Sequence, residues 1–226
     1  MRSVLNFWKS DLSIEGGVDA TEHSPTQPAD APLTMAVRPR LIAIGASTGG
    51  PRAVAAVLGD RLHPISIPVL LVLHVSQPLG STVIAWLDSV IPATVTEARH
   101  GEPLPGPREA RVIMAPADRH LIVRGGRLWL TDDPHAHDCR PSVDVLLHSV
   151  AEAYGARAVG CLLTGMGRDG AEGLLAMQRA GAMTLAQDEA SSTVFGMPRE
   201  AIRIGAARKV LPLSDIAPTI SALSGR

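Results

Sequence analysis

Unbroken apolar runs of strand length recur along this chain and constrain its fold more than any other feature. Leu41-Ile42-Ala43-Ile44, Ile67-Pro68-Val69-Leu70-Leu71-Val72-Leu73 and Ala158-Val159-Gly160-Cys161-Leu162-Leu163 contain no polar side chain. Successive strand residues point to opposite faces, so a strand apolar at every position must be covered on both sides. Helix patterns separate these runs: about Pro51 to Leu58, and Gly80-Ser81 to Val90. A third places Val143, Leu146, Leu147, Val150 and Tyr154 at helical spacing, with Ser142 as N-cap and Gly155 as the stop. Thr94 to Ala98 and Arg111 to Ala115 read as further strands. Later come a helix from Gly170 to near Gly181, a strand from Met183 to Ala186 and a helix opened by Pro198. A short strand closes at Val210-Leu211, and Ser214 caps a last helix. Gly125-Gly126 lies between alternating segments at 121–124 and 127–130 and predicts a hairpin, because both turn positions can take positive φ. The expected fold is α/β, a doubly wound, mostly parallel sheet with helices on both faces and a small antiparallel hairpin.

Residues 1–39 differ from the rest. Pro25, Pro28, Pro32 and Pro39 interrupt a Ser/Thr/Ala/Asp-rich stretch, which predicts a disordered or weakly structured N-terminal extension. Val4, Leu5, Phe7, Trp8, Leu12 and Ile14 near its start fit either a docking segment or a frayed end. Residues 40–226 form the folded domain. A formal charge of −1, with no basic run, gives no support to a nucleic-acid partner. The longest apolar run, around Val69 to Val75, is strand-sized, so no membrane insertion is expected. No signal-peptide pattern stands at the N-terminus, and Cys139 and Cys161 lack metal-type spacing; a cytoplasmic setting is the default.

In open α/β sheets functional groups gather where strands end and helices begin. Three polar residues hold such positions: Ser47, His74 and Asp169. Gly45-Ala46-Ser47-Thr48-Gly49, followed by Gly50-Pro51, fits the short G-x-S-x-G pattern in which a serine is exposed on a strand-to-helix turn beside helix N-terminal amides. A serine, a histidine and a carboxylate are what nucleophilic acyl transfer requires. Each has a structural alternative: the glycine turn could bind phosphate, His74 could be a satisfied edge histidine, and Asp169 could merely cap the helix that begins at Gly170. The glycine loop lacks both the Lys-Ser/Thr ending of a P-loop and the G-x-G-x-x-G spacing of a dinucleotide site. His135-Ala136-His137-Asp138-Cys139 looks like a metal cluster, but no further ligand is spaced to complete it, so its histidines read as solvated and no metal is expected. His148, inside a helix pattern, is a poor third member.

With these residues in hand the chain resembles the catalytic domain of the chemoreceptor protein-glutamate methylesterases, the CheB family. The likeness covers about Leu41 to Ser221. It rests on Ile44-Gly45-Ala46-Ser47-Thr48-Gly49-Gly50, on Ala115-Pro116 with Asp118 and His120, and on Arg140-Pro141-Ser142-Val143-Asp144-Val145-Leu146. It continues through Leu163-Thr164-Gly165-Met166-Gly167-Arg168-Asp169-Gly170-Ala171, Gln187-Asp188-Glu189-Ala190-Ser191 and Phe195-Gly196-Met197-Pro198-Arg199-Glu200-Ala201. The resemblance implies a methylesterase domain over 40–226. It would hydrolyse glutamate methyl esters, and deamidate glutamines, on the cytoplasmic helices of chemoreceptors without a cofactor. It assigns Ser47 as nucleophile, His74 as base and Asp169 as its acid, with Thr48, Gly165 and Met166 at the oxyanion or substrate side. The family commonly carries Gln before the active histidine and Met-Pro after it; here Leu73, Val75 and Ser76 stand there, which would alter substrate-side contacts. Members usually begin with a receiver domain, which 39 residues cannot form, so a stand-alone domain is expected, either controlled by a separate partner or not controlled by phosphorylation at all. A catalytically impaired binding module and an esterase for a non-receptor substrate are the other readings.

Overall fold

The computed structural model describes residues 37–60, 63–76, 79–106, 109–224. Most of the segment expected to be weakly structured, residues 1–36, lies outside them. Seven strands form one sheet in the order β3-β4-β2-β1-β7-β8-β9, and every neighbouring pair is parallel. They are β1 (Leu41–Ala46), β2 (Val69–Leu73), β3 (Thr94–Glu97), β4 (Arg111–Met114), β7 (Ala158–Leu162), β8 (Met183–Gln187) and β9 (Lys209–Leu211). The hairpin strands β5 (His120–Arg124) and β6 (Arg127–Thr131) do not extend that sheet but form a two-stranded antiparallel one. Their turn has φ 61° at Gly125 and 71° at Gly126, a pair of values that strongly favours two glycines.

The apolar runs have the two-sided burial that their composition predicts. In β1, Leu41 and Ala43 join a core with α3 (Val143–Tyr154), α4 (Ala171–Arg179), α5 (Met197–Arg203) and the hairpin. Ile42 and Ile44 face the opposite core, with α1 (Gly50–Leu58), α2 (Gly80–Val90) and α6 (Leu213–Ser224). Leu73 also belongs to this second core, 1% exposed, and a Cβ on Gly50 would lie 2.6 Å from its Cδ1. The departure from the family pattern at Leu73 is therefore a packing change under α1, not a change on the substrate side. Ser214 is not the cap of α6: that helix begins one residue earlier, and the Ser214 hydroxyl donates to Asp215 Oδ1 at 2.9 Å.

From β1 the chain adds β2, β3 and β4 on one side, with β4 between β3 and β2, then crosses to β7 on the other, so β1 and its two neighbours straddle the switch point of the sheet. The loops that leave β1, β2 and β7 meet at the carboxyl edge. On the helical layer above them α3 and α4 approach closely. A Cβ on Gly173 would lie 2.7 Å from Leu147 Cβ and 2.9 Å from the Asp144 carbonyl oxygen.

Gly173→Ala sets two effects against each other. Replacing glycine inside a helix gains about 0.5–1 kcal/mol in propensity, while over-packing against a backbone that cannot step aside costs about 1–3 kcal/mol. The clash wins, and the expected result is a net loss of about 1–2 kcal/mol in urea unfolding. Equal or higher stability would show that α3 and α4 can separate freely.

Candidate active site

Ser47 follows the last residue of β1. Its N–H donates to Thr164 O at 3.0 Å and its carbonyl accepts from Gly50 N–H at 2.7 Å, which turns the chain sharply into α1. Gly49, the N-cap, has φ 79°, and among the described residues no side chain caps α1. Across from the serine, a Cβ on Gly165 would lie 2.8 Å from Ser47 Cβ, so only glycine lets that backbone approach. The Gly165 N–H is engaged with Val194 O at 3.0 Å, whereas the amides of Thr48 and Met166 make no hydrogen bond among the described residues. Thr164 and Gln187, buried polar residues at the ends of β7 and β8, tie this wall together. Thr164 N–H donates to Gln187 Oε1 at 2.8 Å, and Thr164 Oγ1 lies 3.0 Å from Thr48 O.

Asp169 is 2% exposed and accepts four hydrogen bonds. Its Oδ1 takes the Ser142 hydroxyl at 2.7 Å and Asp144 N–H at 3.0 Å; its Oδ2 takes Val143 N–H at 2.7 Å and His74 Nε2 at 2.9 Å. Burial alone would raise this carboxyl. The bonds from His74, Asp144, Ser142 and Val143 outweigh it and hold the group below its ordinary value. The helix it caps is α3, not the one beginning at Gly170. The start of α4 is served instead by Asp144 of α3, whose Oδ1 accepts Gly173 N–H at 2.6 Å. Asp169 thus adds to the Ser142 cap of α3, whose hydroxyl accepts Val145 N–H at 3.4 Å, while Asp144 serves the start of α4.

An ionised Asp169 requires a donor from His74, so Nε2 carries the ring proton and Nδ1 keeps its lone pair, the assignment that the hydrogen-bond network favours. Parallel pairing sets Ala46 opposite Leu73, and His74 N–H donates to Ala46 O at 3.0 Å. Ser47 and His74 are therefore next to each other at the strand ends. The structure brings His74 and Asp169 into direct contact; no hydrogen bond joins Ser47 Oγ to His74 among the described residues. In free hydrolases that contact is often long and tightens with substrate.

The loop between β6 and α3 is less solvated than its composition suggests. His135 is exposed, but Cys139 Sγ lies 3.9 Å from His74 Nδ1. Burial first, then the charges of Asp169 and Asp138, push the Cys139 thiol up to about 11. His137 accepts from Arg168 Nε at its Nδ1, 3.1 Å away. Its Nε2 stands 2.9 Å from Asp144 Oδ2, off the line a hydrogen bond needs. Among the described residues two groups could offer ligand atoms to a metal ion: His74 with Cys139 and Asp169, and His137 with Asp144 and Glu172. His120 and Arg140 hold the frame. His120 Nδ1 accepts Ser142 N–H at 3.1 Å, and Arg140 donates to Asp118 Oδ1 from Nε at 2.9 Å and from Nη2 at 2.7 Å.

Fold and site together define a parallel α/β protein with a half-buried serine on a strand-to-helix turn and a histidine–carboxylate pair at the next strand end. The model of the CheB methylesterase family matches residues 42–220, and this chain belongs to that family. It is 44% identical over 210 residues to a protein-glutamate methylesterase/protein-glutamine glutaminase 2 of Anaeromyxobacter dehalogenans, covering 92% of this chain and 61% of that one. It is 47% identical over 185 residues to a protein-glutamate methylesterase/protein-glutamine glutaminase 1 of Burkholderia lata, covering 81% and 54%. The chain thus spans a little over half the length of these relatives. The crystal structure of the Thermotoga maritima CheB methylesterase catalytic domain superposes with a TM-score of 0.76 at 32% identity, over 83% of this chain and all of that one.

The Asp169 carboxyl, lower in the fold than in the unfolded chain, contributes stability that is complete above the unfolded pKa of about 3.9 and lost as pH falls through the folded value. Asp169→Asn leaves N–H donors without an anionic acceptor and should cost about 1–3 kcal/mol at pH 7. The gap to the unsubstituted protein should close below about pH 4. A pH-independent gap in urea melts would contradict this account of the carboxylate.

Proposed function

We propose that this domain hydrolyses methyl esters of glutamate side chains on chemoreceptors through Ser47, His74 and Asp169. The observation that carries the reading is the saturated Asp169 carboxylate, which holds His74 by Nε2 and so leaves Nδ1 as the ring's proton acceptor, with Ser47 at the neighbouring strand end. The family of the chain and the names of its relatives supply the substrate class.

In this mechanism His74 Nδ1 accepts the Ser47 proton as Oγ attacks the ester carbonyl. The amides of Thr48 and Met166, which make no hydrogen bond among the described residues, face the developing oxyanion, aided by the positive end of α1. The tetrahedral intermediate collapses as His74 returns the proton to the methoxide, and methanol leaves. Water then gives a proton to His74, attacks the acyl-serine, and releases the glutamate carboxylate and Ser47. Glutamine deamidation follows the same route with ammonia as the leaving group. Asp169 stabilises the imidazolium in both steps. Gly165 lets its own backbone lie against Ser47, and the side chain of the next residue, Met166, is 74% exposed. This reading entails action on the cytoplasmic helices of the receptor. Among the described residues no helix is long and apolar enough to cross a membrane.

Methanol release from methylated receptor, with Ser47 labelling by a serine-reactive phosphonate, tests the proposal. Ser47→Ala should reduce turnover by roughly 10⁴- to 10⁶-fold and abolish labelling. A near-normal rate in that variant would sink the assignment of the nucleophile. An unsubstituted protein that binds receptor but neither turns over nor labels would favour the binding-module reading.

A further inference from the structure

The loop between β6 and α3 delivers a thiol to the free nitrogen of the proposed base. Cys139 Sγ is 3.9 Å from His74 Nδ1, and His74, Cys139 and Asp169 offer ligand atoms that all lie within 4.8 Å of one another. We propose that this cluster binds a thiophilic divalent cation of the Zn²⁺ class through Cys139 Sγ and His74 Nδ1, and that occupancy reversibly stops hydrolysis. The second half rests on His74 being the base.

Ligand geometry supports the site. With Zn–S about 2.3 Å and Zn–N about 2.0–2.1 Å, sulfur and nitrogen across a tetrahedral ion stand about 3.5 Å apart. The observed pair needs to close by only a few tenths of an ångström. Cys139 is held in place for this: its N–H and carbonyl pair with Ala136, at 2.9 and 3.1 Å, and the next residue is clamped to Asp118. It is half-buried, so an ion can reach it from solvent. Both oxygens of Asp169 are already committed, so its part is to hold Nε2–H and present Nδ1, the carboxylate–histidine–metal arrangement common at zinc sites.

Two protein ligands leave two coordination positions for water, which suits a reversible inhibitor better than a resident ion. As the metal–sulfur bond forms, the thiol proton passes to solvent; nothing is oxidised or reduced. The ion then occupies the lone pair that would take the Ser47 proton. The neighbouring group of His137, Asp144 and Glu172 fits less well. Arg168 donates to His137 Nδ1, which puts the ring proton on the nitrogen facing Asp144.

Co²⁺ added to the purified protein reports directly, through the near-ultraviolet charge-transfer absorption of a thiolate–cobalt bond. The other cysteine, Cys161, is fully buried in β7. The band should appear in the unsubstituted protein and vanish in both Cys139→Ala and Cys139→Ser. Zn²⁺ affinity in those variants should fall by at least about tenfold, since losing a ligand costs no less than losing an outer-shell partner. Turnover with and without Zn²⁺ is compared within each protein. The unsubstituted enzyme should lose activity with Zn²⁺ and recover it with EDTA, and the variants should respond far less. A missing band, or one that survives in both variants, overturns the metal site and leaves the hydrolase reading intact. A Cys139-dependent band with turnover indifferent to Zn²⁺ overturns the switch and, with it, Nδ1 as the base.

Discussion

One buried carboxylate holds this edge of the molecule together. Asp169 accepts four hydrogen bonds, three from the first turn of α3 and its cap and one from His74. Burying an ionised carboxylate is costly unless every lone pair is engaged, and here all are. The same bonds that offset that cost fix the start of α3 and the tautomer of the histidine. Holding the start of α3 and holding His74, which compete as explanations when the residue is considered alone, are two uses of one acceptor.

The surrounding fold supplies what a carboxylate cannot supply alone. Parallel pairing of β1 with β2 puts Ser47 and His74 side by side. The loop after β7 returns across them, because Ser47 N–H is bound to Thr164 O and Gly165 lies against the serine. Asp144 completes the arrangement from α3, capping α4 and so setting where Asp169 leaves the loop. Burial, opposed by the Gly173 N–H, together with the Asp169 charge raises the Asp144 carboxyl, the opposite direction to Asp169. Two neighbouring acids are thus shifted in opposite directions, because one has four donors and the other has fewer.

Much of this was legible in the sequence, for identifiable reasons. Apolar runs such as Val69–Leu73 cannot be solvated on either face, so the two-sided sheet followed from composition. Gly125-Gly126 announced a turn that only certain backbones can make. Strand ends marked Ser47, His74 and Asp169. What stayed hidden depends on contacts between distant segments. Nothing local tells that Asp169 caps a helix starting 26 residues earlier, or that His120 holds Ser142. The 132–141 loop has no periodicity to set its path, so its thiol beside His74 and its His137 beside Asp144 emerge only in three dimensions. Leu73 misled because a family difference next to a key histidine invites a functional reading, while its side chain points into the core.

The central claim is that Asp169 holds His74 by Nε2 and leaves Nδ1 as the proton acceptor. Nitrogen-15 NMR of the histidine ring, recorded where the imidazole is neutral, reads this directly. A protonated Nε2 and a bare Nδ1 at His74 are the predicted result. A ring protonated at Nδ1 would contradict the account.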